Sequence, residues 1–496
     1  MQYLKNGYGR KNKLSASMIS MLCGIVLFVC MIAHNYLPAT YVSACAFIYY
    51  AFNKIVIQRS KLFLKYIYLI TMPISYLIGV LICDTTQIWL GEIRETTFFS
   101  GAFCPLAFYF WVFFVVLDFF DGRFCNACKG GKVKIKLGGS DVRSLVYKHS
   151  KSILFIMGSV MFLTVARHPS FMLRSINRFT YAQQYVPRFL NVIRPLPVLF
   201  SVILIYRLLD KRKISIRDVW KEIVVPFIPY ILFLIWIGNK FGAFWDIICA
   251  VVVPLSSRII IKSETLKKIF KWGIGGVVIL YGILVGYYII NGNNTNMAVY
   301  LVSDRIAVQG ELWWKIFAIL DNRAYHIADF IKETSYIWNS IITEGGSKEY
   351  GIYHLMKLAG NPAVVEYYQT LNTRFSASGI ELPFYFFRYW SFIIMPLFYC
   401  PIFAWLTNVC INACRKQFFV TAMCSYRLIQ LFVSAMAQGD WYMFATGSSE
   451  VFIALFLIAL VIRHRYSQNV GFANSRKANV AGRQMMRGAC YYDQQQ

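Results

Sequence analysis

The stretches "SMISMLCGIVLFVCMIAH", "LFLKYIYLITMPISYLIGVLIC", "GAFCPLAFYFWVFFVVLDFF" and "GIGGVVILYGILVGYYII" limit the fold more than any other feature of this chain. Each is long and apolar enough to cross a hydrocarbon core of ~30 Å as a helix. Inside that core every backbone N–H and C=O must be satisfied within the protein, which favours helices over open strands. The chain is 58% hydrophobic and only 15% charged, beyond the usual balance of a soluble domain. The expectation is an all-α polytopic membrane protein with about twelve transmembrane helices. They fall at 16–34, 39–57, 62–83, 98–120, 152–167, 191–208, 223–239, 241–257, 272–290, 385–409, 418–437 and 447–463. The leading "KNGYGRKNK" imitates a signal peptide, but no small-residue cleavage site follows it and a second span begins almost at once. A retained first helix is expected. Thirteen cysteines are scattered, mostly inside spans, as small buried hydrophobes rather than a disulfide framework.

Charge orients the spans, because cytoplasmic flanks collect Lys and Arg. With the N-terminus inside, most of the 51 Lys and Arg fall on the cytoplasmic side, as does nearly all of the net charge of +28. That charge faces anionic headgroups, so no nucleic-acid partner is needed to explain it. Both termini are then cytoplasmic. The loop "DGRFCNACKGGKVKIKLGGSDVRSLVYKHSK" and the tail 464–496 read as basic, polar segments. Neither carries a G-x-x-x-x-G-K-[ST] phosphate loop or a D-x-D pair, so chemistry fuelled by a cytosolic nucleotide is not expected. Four regions result: a membrane region 1–290, a large outer loop 291–384, a second membrane region 385–463 and the tail.

Two outer segments depart from a plain loop. "RHPSFMLRSINRFTYAQQYVPRFLNVIRP" holds Arg167, Arg174, Arg178, Arg188 and Arg194 without a carboxylate, against the positive-inside bias, which points to an anionic ligand. The segment 291–384 is far longer than a typical connection and carries several helical patterns, as a folded cap would.

Within that cap, "SDRIAVQGELWWKIF" reads as one helix from Ser303 to Phe317. Ser303 is its expected N-cap, Arg305 and Gln309 share a stripe, and Asp304, Glu311 and Lys315 share the next. Trp313 and Trp314 are expected at the water–lipid boundary, where indoles are favoured. "NRAYHIADFIKETSYIW" sets Arg323 and His326 one turn apart, and His354 is a second outer histidine. A histidine there suits a general base on a sugar hydroxyl, although a purely structural histidine is the commoner case. "GNPAVVEYYQTLNTRF" opens with Asn361 as N-cap and Pro362 in the first turn, and offers Glu366, Gln369 and Arg374 among tyrosines. The chain re-enters through "SGIELPFYFFRYW", where Glu381 and Arg388 share one face of a helix starting at Glu381. Arg388 lies in an apolar span, where an ionisable group is expensive and usually functional. Lys240 and Asp246 sit in the turn "GNKFGAFWD", and Arg427 is expected to pair with Glu450.

The arginine-bearing "INRFTYAQQY" segment, the "GNKFGAF" turn, the late outer loop opening with "SDRIAVQGELWW" and about twelve spans together resemble the O-antigen and capsular polysaccharide repeat-unit polymerases, the Wzy-type family. The resemblance implies glycosyl transfer at the periplasmic face of a bacterial inner membrane. Donor and acceptor would be glycans on undecaprenyl pyrophosphate, with no cofactor and no metal. A chain-length regulator and a flippase would be partners beside the bilayer. A departing diphosphate needs preorganised cations, and guanidinium binds phosphate oxygens bidentately. Arg178, Arg194, Lys240 and Arg305 are the expected clamp, with Glu311, His326 and Glu381 beside the acceptor hydroxyl. Tyr181, Gln309, Trp313, Arg323, Arg374 and Arg388 complete the expected sugar and lipid contacts. Competing readings are an O-antigen ligase-like glycosyltransferase and a lipid-linked oligosaccharide flippase. The large loop lies off-centre and no internal repeat is present, unlike many transporters.

Overall fold

A computed structural model describes residues 3–127, 141–170, 178–209, 218, 220–238, 241–256, 263–290, 292–321, 325–342, 351–371, 373–415, 418–438, 444 and 449–462. Most of the basic loop after Asn126 and the C-terminal tail lie outside these residues. Among the described residues the chain is all-α apart from one hairpin of two two-residue strands. Its first half runs α1 (Tyr3–Ile32), α2 (Leu37–Tyr50, continued by a π-helical stretch Ala51–Gln58), α3 (Ser60–Lys65), α4 (Ile67–Ile70) and α5 (Met72–Thr85). The antiparallel pair β1 (Trp89–Leu90) and β2 (Glu95–Thr96) follows, with Leu90 opposite Glu95. Then come α6 (Phe103–Ala127), α7 (Asp141–Ala166), α8 (Arg178–Tyr185), α9 (Arg188–Ile193), α10 (Leu196–Leu209), α11 (Val225–Trp236), α12 (Phe241–Leu255) and α13 (Ser263–Ile290).

Among the described residues the expected cap contains five helices: α14 (Thr295–Ala307), α15 (Glu311–Leu320), α16 (Ile327–Ile342), α17 (Ile352–Ala359) and α18 (Pro362–Thr370). The chain ends through α19 (Glu381–Phe387), a 3-10 turn Arg388–Trp390, α20 (Ser391–Arg415), α21 (Phe419–Gln438) and α22 (Ser449–Ile462).

Six helices among the described residues are long and apolar enough to cross a membrane: Leu37–Gln58, Ile67–Thr85, Phe103–Phe124, Lys148–Ala166, Glu381–Arg415 and Phe419–Ala437. Shorter apolar helices cover Ser17–Ile32, Leu196–Ile205, Ala243–Leu255, Tyr281–Ile290 and Ser449–Ile462. Their outward residues, such as Met21, Leu163, Ile283 and Ile458, are exposed, as lipid-facing side chains are. Helix α6 is the hub: it packs against α1, α2, α5 and α20, while α7 packs on α11 and α10 on α12. One polar knot interrupts this apolar core. Lys65 bonds Asp121 and, at 2.8 Å, Asn408 Oδ1; Tyr66 donates to Asp121 at 2.6 Å. It ties α3, α6 and α20 together with each charge partnered, as a low-dielectric interior requires.

The cap departs from the sequence expectation at its opening stretch. Residues 303–317 do not form one helix: α14 stops at Ala307, a turn spans Val308 to Gly310, and α15 restarts at Glu311. Asn294, not Ser303, caps α14, its side chain accepting from Met297 N at 2.8 Å. The break has a steric cause. A Cβ on Gly310 would lie 2.3 Å from Val80 N, and one on Gly79 would lie 2.5 Å from Gly310 N. Here the turn and α5 meet backbone to backbone. That approach drives Trp313 and Trp314 into the core at 1% and 0% exposure rather than to a lipid boundary. Their indole nitrogens donate to Ala102 O at 2.8 Å and Phe98 O at 3.1 Å, beside the start of α6.

Forcing a side chain into this crossing should separate the cap from the bundle. Gly79→Val is expected to destabilise the purified protein by about 1–3 kcal/mol through overpacking. A Cβ at Gly91 meets nothing within 4 Å, so Gly91→Ala should melt like the parent. Thermal melts in detergent compare the three, and equal melting of Gly79→Val and parent would contradict the docking.

Candidate functional site

The chain returns towards the membrane through α19, and its start is held locally. The Glu381 carboxylate accepts from Ser378 N at 2.7 Å, Ser378 Oγ at 2.8 Å and Gly379 N at 2.9 Å. A carboxylate at a helix start is favoured by unpaired N–H groups, so Glu381 serves its own helix. It is 1% exposed and does not face an acceptor sugar, contrary to the expectation for a base. Nor do Glu381 and Arg388 share one continuous helical face. Helix α19 ends at Arg388, whose φ of 50° and ψ of −135° break it. A non-glycine residue at such angles costs about 1–3 kcal/mol and persists where its surroundings hold it. Here the guanidinium is buried, with Nη1 3.4 Å from Phe384 O and its carbon 5.7 Å from the Phe384 ring centroid.

Two tyrosines flank that arginine, and each leads to an aspartate and a histidine. Tyr389 Oη donates to Asp321 Oδ1 at 2.5 Å, and Asp321 Oδ2 lies 3.1 Å from His34 Nε2. His34 Nδ1 faces Met31 O at 2.9 Å, so both ring nitrogens are engaged. Burial would raise the Asp321 carboxyl, but the bonds from His34 and Tyr389 outweigh it and hold it below the ordinary value. On the other side Tyr385 Oη donates to Asp329 Oδ2 at 2.7 Å, which lies 3.5 Å from His326 Nδ1. The His326 ring stacks on Tyr385 at 4.5 Å, and His354 meets Tyr385 edge-on at 5.0 Å. The Tyr385 bond, helped by Lys332 and His326, keeps the Asp329 carboxyl below its usual value, while burial lowers His354.

Their accessibility differs. Side-chain exposure is 11% for His34 and 17% for Asp321, against 35% for His326 and 37% for Asp329. The first set is a tie between the end of α1 and the cap. The second is about a third exposed, with Asp329 Oδ2 in ion-pair range of the imidazole Nδ1. His326 itself precedes α16 rather than lying within a helix.

A third polar group lies at the hairpin. Tyr368 Oη donates to Glu92, Lys315 pairs with Glu95, and Tyr300 Oη donates to Trp89 O at 2.6 Å, fixing the hairpin onto α14, α15 and α18. Glu311 is 0% exposed, and neither of its carboxyl oxygens has a hydrogen-bond partner among the described residues. Burial, with Glu92 and Asp304 beside it, pushes this acid well above the ordinary carboxylate value, and the side chain is sealed from solvent. Exposed Arg305 stands next to these acids, and its field acts on Asp304 and Tyr368. No three His, Cys, Asp or Glu side chains among the described residues are arranged to hold a metal ion.

The other expected residues are dispersed. Tyr181 is fully buried and donates to Pro169 O at 2.7 Å, so it lines no surface path; Trp313 is likewise internal. Arg194 follows α9, its carbonyl accepting from Tyr230 at 3.0 Å. Gln309 lies half-buried in the 308–310 turn, and Arg374 sits over the Tyr353 ring at 5.0 Å. Arg178 begins α8. Lys240 and Arg323 lie outside the described residues. Arg427 bonds Gln430 at 3.4 Å and feels Asp246, while Glu450 is exposed on another helix, so the expected Arg427–Glu450 pair does not form. Of the expected catalytic set, His326 alone combines an open position with an ordered acidic partner. Asp329 and Tyr385 were not singled out in the sequence, although the i, i+3 spacing of His326 and Asp329 was visible there.

One turn further along α16, Glu333 takes a hydrogen bond from Gly351 N at the start of α17. Burial pushes its carboxyl from 4.5 up to about 7, against the pull of that bond. A family of unknown function, DUF6418, matches residues 346–453, the stretch holding His354, Arg374, Glu381, Tyr385, Arg388 and Tyr389. No curated protein and no solved structure matches the chain.

Glu333 gives a signed pH test. Its raised value means the native state keeps a proton that the unfolded chain releases, so this contribution is complete below 4.5 and is lost as pH rises through about 7. Glu333→Gln should flatten the fall in melting temperature across that window. An unchanged slope in the variant would contradict the assignment.

Proposed function

We propose that this protein is an oligosaccharide repeat-unit polymerase. It joins glycan repeats carried on undecaprenyl pyrophosphate at the periplasmic face of a bacterial inner membrane, with about twelve spans and both termini in the cytoplasm. The observation that carries this reading is the half-exposed His326–Asp329 pair, joined by buried Tyr385, beside buried Arg388, where the span Glu381–Arg415 begins. A base and a buried cation at a membrane boundary suit a substrate whose sugar is in water and whose anchor is in lipid.

In this scheme His326 removes the proton from the acceptor hydroxyl, with Asp329 beside its Nδ1. The hydroxyl oxygen bonds to the anomeric carbon of the donor while the bond from that carbon to the diphosphate oxygen breaks. Negative charge gathers on the departing lipid diphosphate and calls for preorganised cations. Arg178, Arg194 and Lys240 of the expected clamp are the side chains we assign to that role, the two arginines because a guanidinium fork matches phosphate oxygens. Arg305, set among carboxylates, is the weakest member of the expected clamp.

Deleting the gene should leave single repeat units on the cell surface and remove the ladder of longer chains on a gel. Loss of the single unit as well would indicate a flippase, and free long polymer a ligase. Complementation with His326→Gln should lower elongation about 10²–10⁴-fold, the usual contribution of general base catalysis, while the protein still accumulates. A normal ladder from that variant would remove the assigned base.

A further inference from the structure

Beside the His326–Asp329 group, a groove of about 390 Å³ runs between α16, α19, α20 and α21. That volume lies within the roughly 300–1,000 Å³ of ligand pockets. Its walls are hydrocarbon and aromatic: Phe330 of α16, Phe386 of α19, Met395 and Phe398 of α20, and Met436 of α21. Methionine and phenylalanine make an adaptable apolar lining. Two carboxyl groups border it, and both are engaged by backbone N–H groups, Glu333 by Gly351 and Glu381 by Ser378 and Gly379. The groove therefore offers no free charge to a ligand.

Two further observations select the occupant. The wall residues Ile394 and Phe398 are 41% and 48% exposed and belong to a membrane-length helix, so the groove is continuous with the lipid-facing flank. At its other end, Phe330 and Glu333 lie within about one turn of Asp329 on α16, and His326 immediately precedes that helix, so apolar groove and polar group meet at its start. A molecule filling both would carry its hydrocarbon in the bilayer and its polar head at the histidine.

We infer that this groove seats the isoprenoid chain of the lipid carrier, entering sideways from the bilayer between α16 and α20. The inference rests on the polymerase reading for the identity of the lipid and adds the place where its chain lies. The chain fixes the reacting head group beside His326, so binding far from the reacting bond positions it.

The test uses the purified full chain in detergent and a polyprenyl diphosphate bearing a photoactivatable group on its chain, followed by peptide mapping. Label is expected on α19, α20 and α21, displaced by unlabelled polyprenyl diphosphate but not by an equal amount of dioleoyl phosphatidylglycerol. Thr334 is exposed at the rim, so Thr334→Trp should fold normally and block the mouth, lowering labelling about ten-fold. Label elsewhere, undiminished label in a monodisperse Thr334→Trp sample, or equal displacement by the phospholipid would overturn the inference. The probe carries no sugar, so the two readings fail separately. A lost ladder on gene deletion with label elsewhere leaves the polymerase and removes the groove; groove labelling with an intact ladder does the reverse.

Discussion

The close meeting of Gly79 with Gly310 determines where everything outside the membrane helices can sit. Two backbones approach here to distances no side chain allows, with a Cβ on either glycine falling within 2.5 Å of the other strand of chain. This contact breaks the helix between α14 and α15 and turns α15 inward, where Trp313 and Trp314 are sealed against the start of α6. Helix α15 then packs on α5, α17 and α19, so the cap is continuous with the bundle. Burying two indoles with their N–H groups satisfied stabilises that arrangement by several kcal/mol; truncating such a residue typically costs about 3–5 kcal/mol.

On this platform the break at Arg388 divides two similar constellations into different tasks. Tyr389–Asp321–His34 faces inward and joins the cap to the first helix. Tyr385–Asp329–His326 faces outward along α16, next to an apolar groove that meets the lipid-facing flank. The same residue types thus serve packing in one place and an open site in the other, and exposure distinguishes them. We propose that this separation lets a sugar head remain in water while its lipid stays in the membrane.

Run length and apolar content made the all-α membrane class legible, and six of the described helices are long and apolar enough to span a membrane against the twelve expected. Asn361 also caps α18 as its sequence suggests, accepting from Ala363 N at 3.1 Å. Local periodicity failed where tertiary contact overrode it. Nothing in "SDRIAVQGELWWKIF" announces that Gly310 must touch Gly79, more than two hundred residues away in the chain, so the helix break and the burial of the tryptophans were invisible. Glu311 and Glu381 looked like reactive acids because a sequence does not show which carboxylates are enclosed or already bonded to backbone. His326 was legible; its partner Tyr385 came from a distant helix, and only the fold brings them to stacking distance.

Reconstitution is the most direct measurement of the central claim. Purified protein in liposomes would be given a single repeat unit on polyprenyl diphosphate, and both chain length and released lipid diphosphate would be followed. The account predicts a ladder of products, with one lipid diphosphate freed for each bond made and the reaction lost in His326→Gln. Substrate that crosses the bilayer without elongation, or elongation undiminished by that substitution, would contradict it.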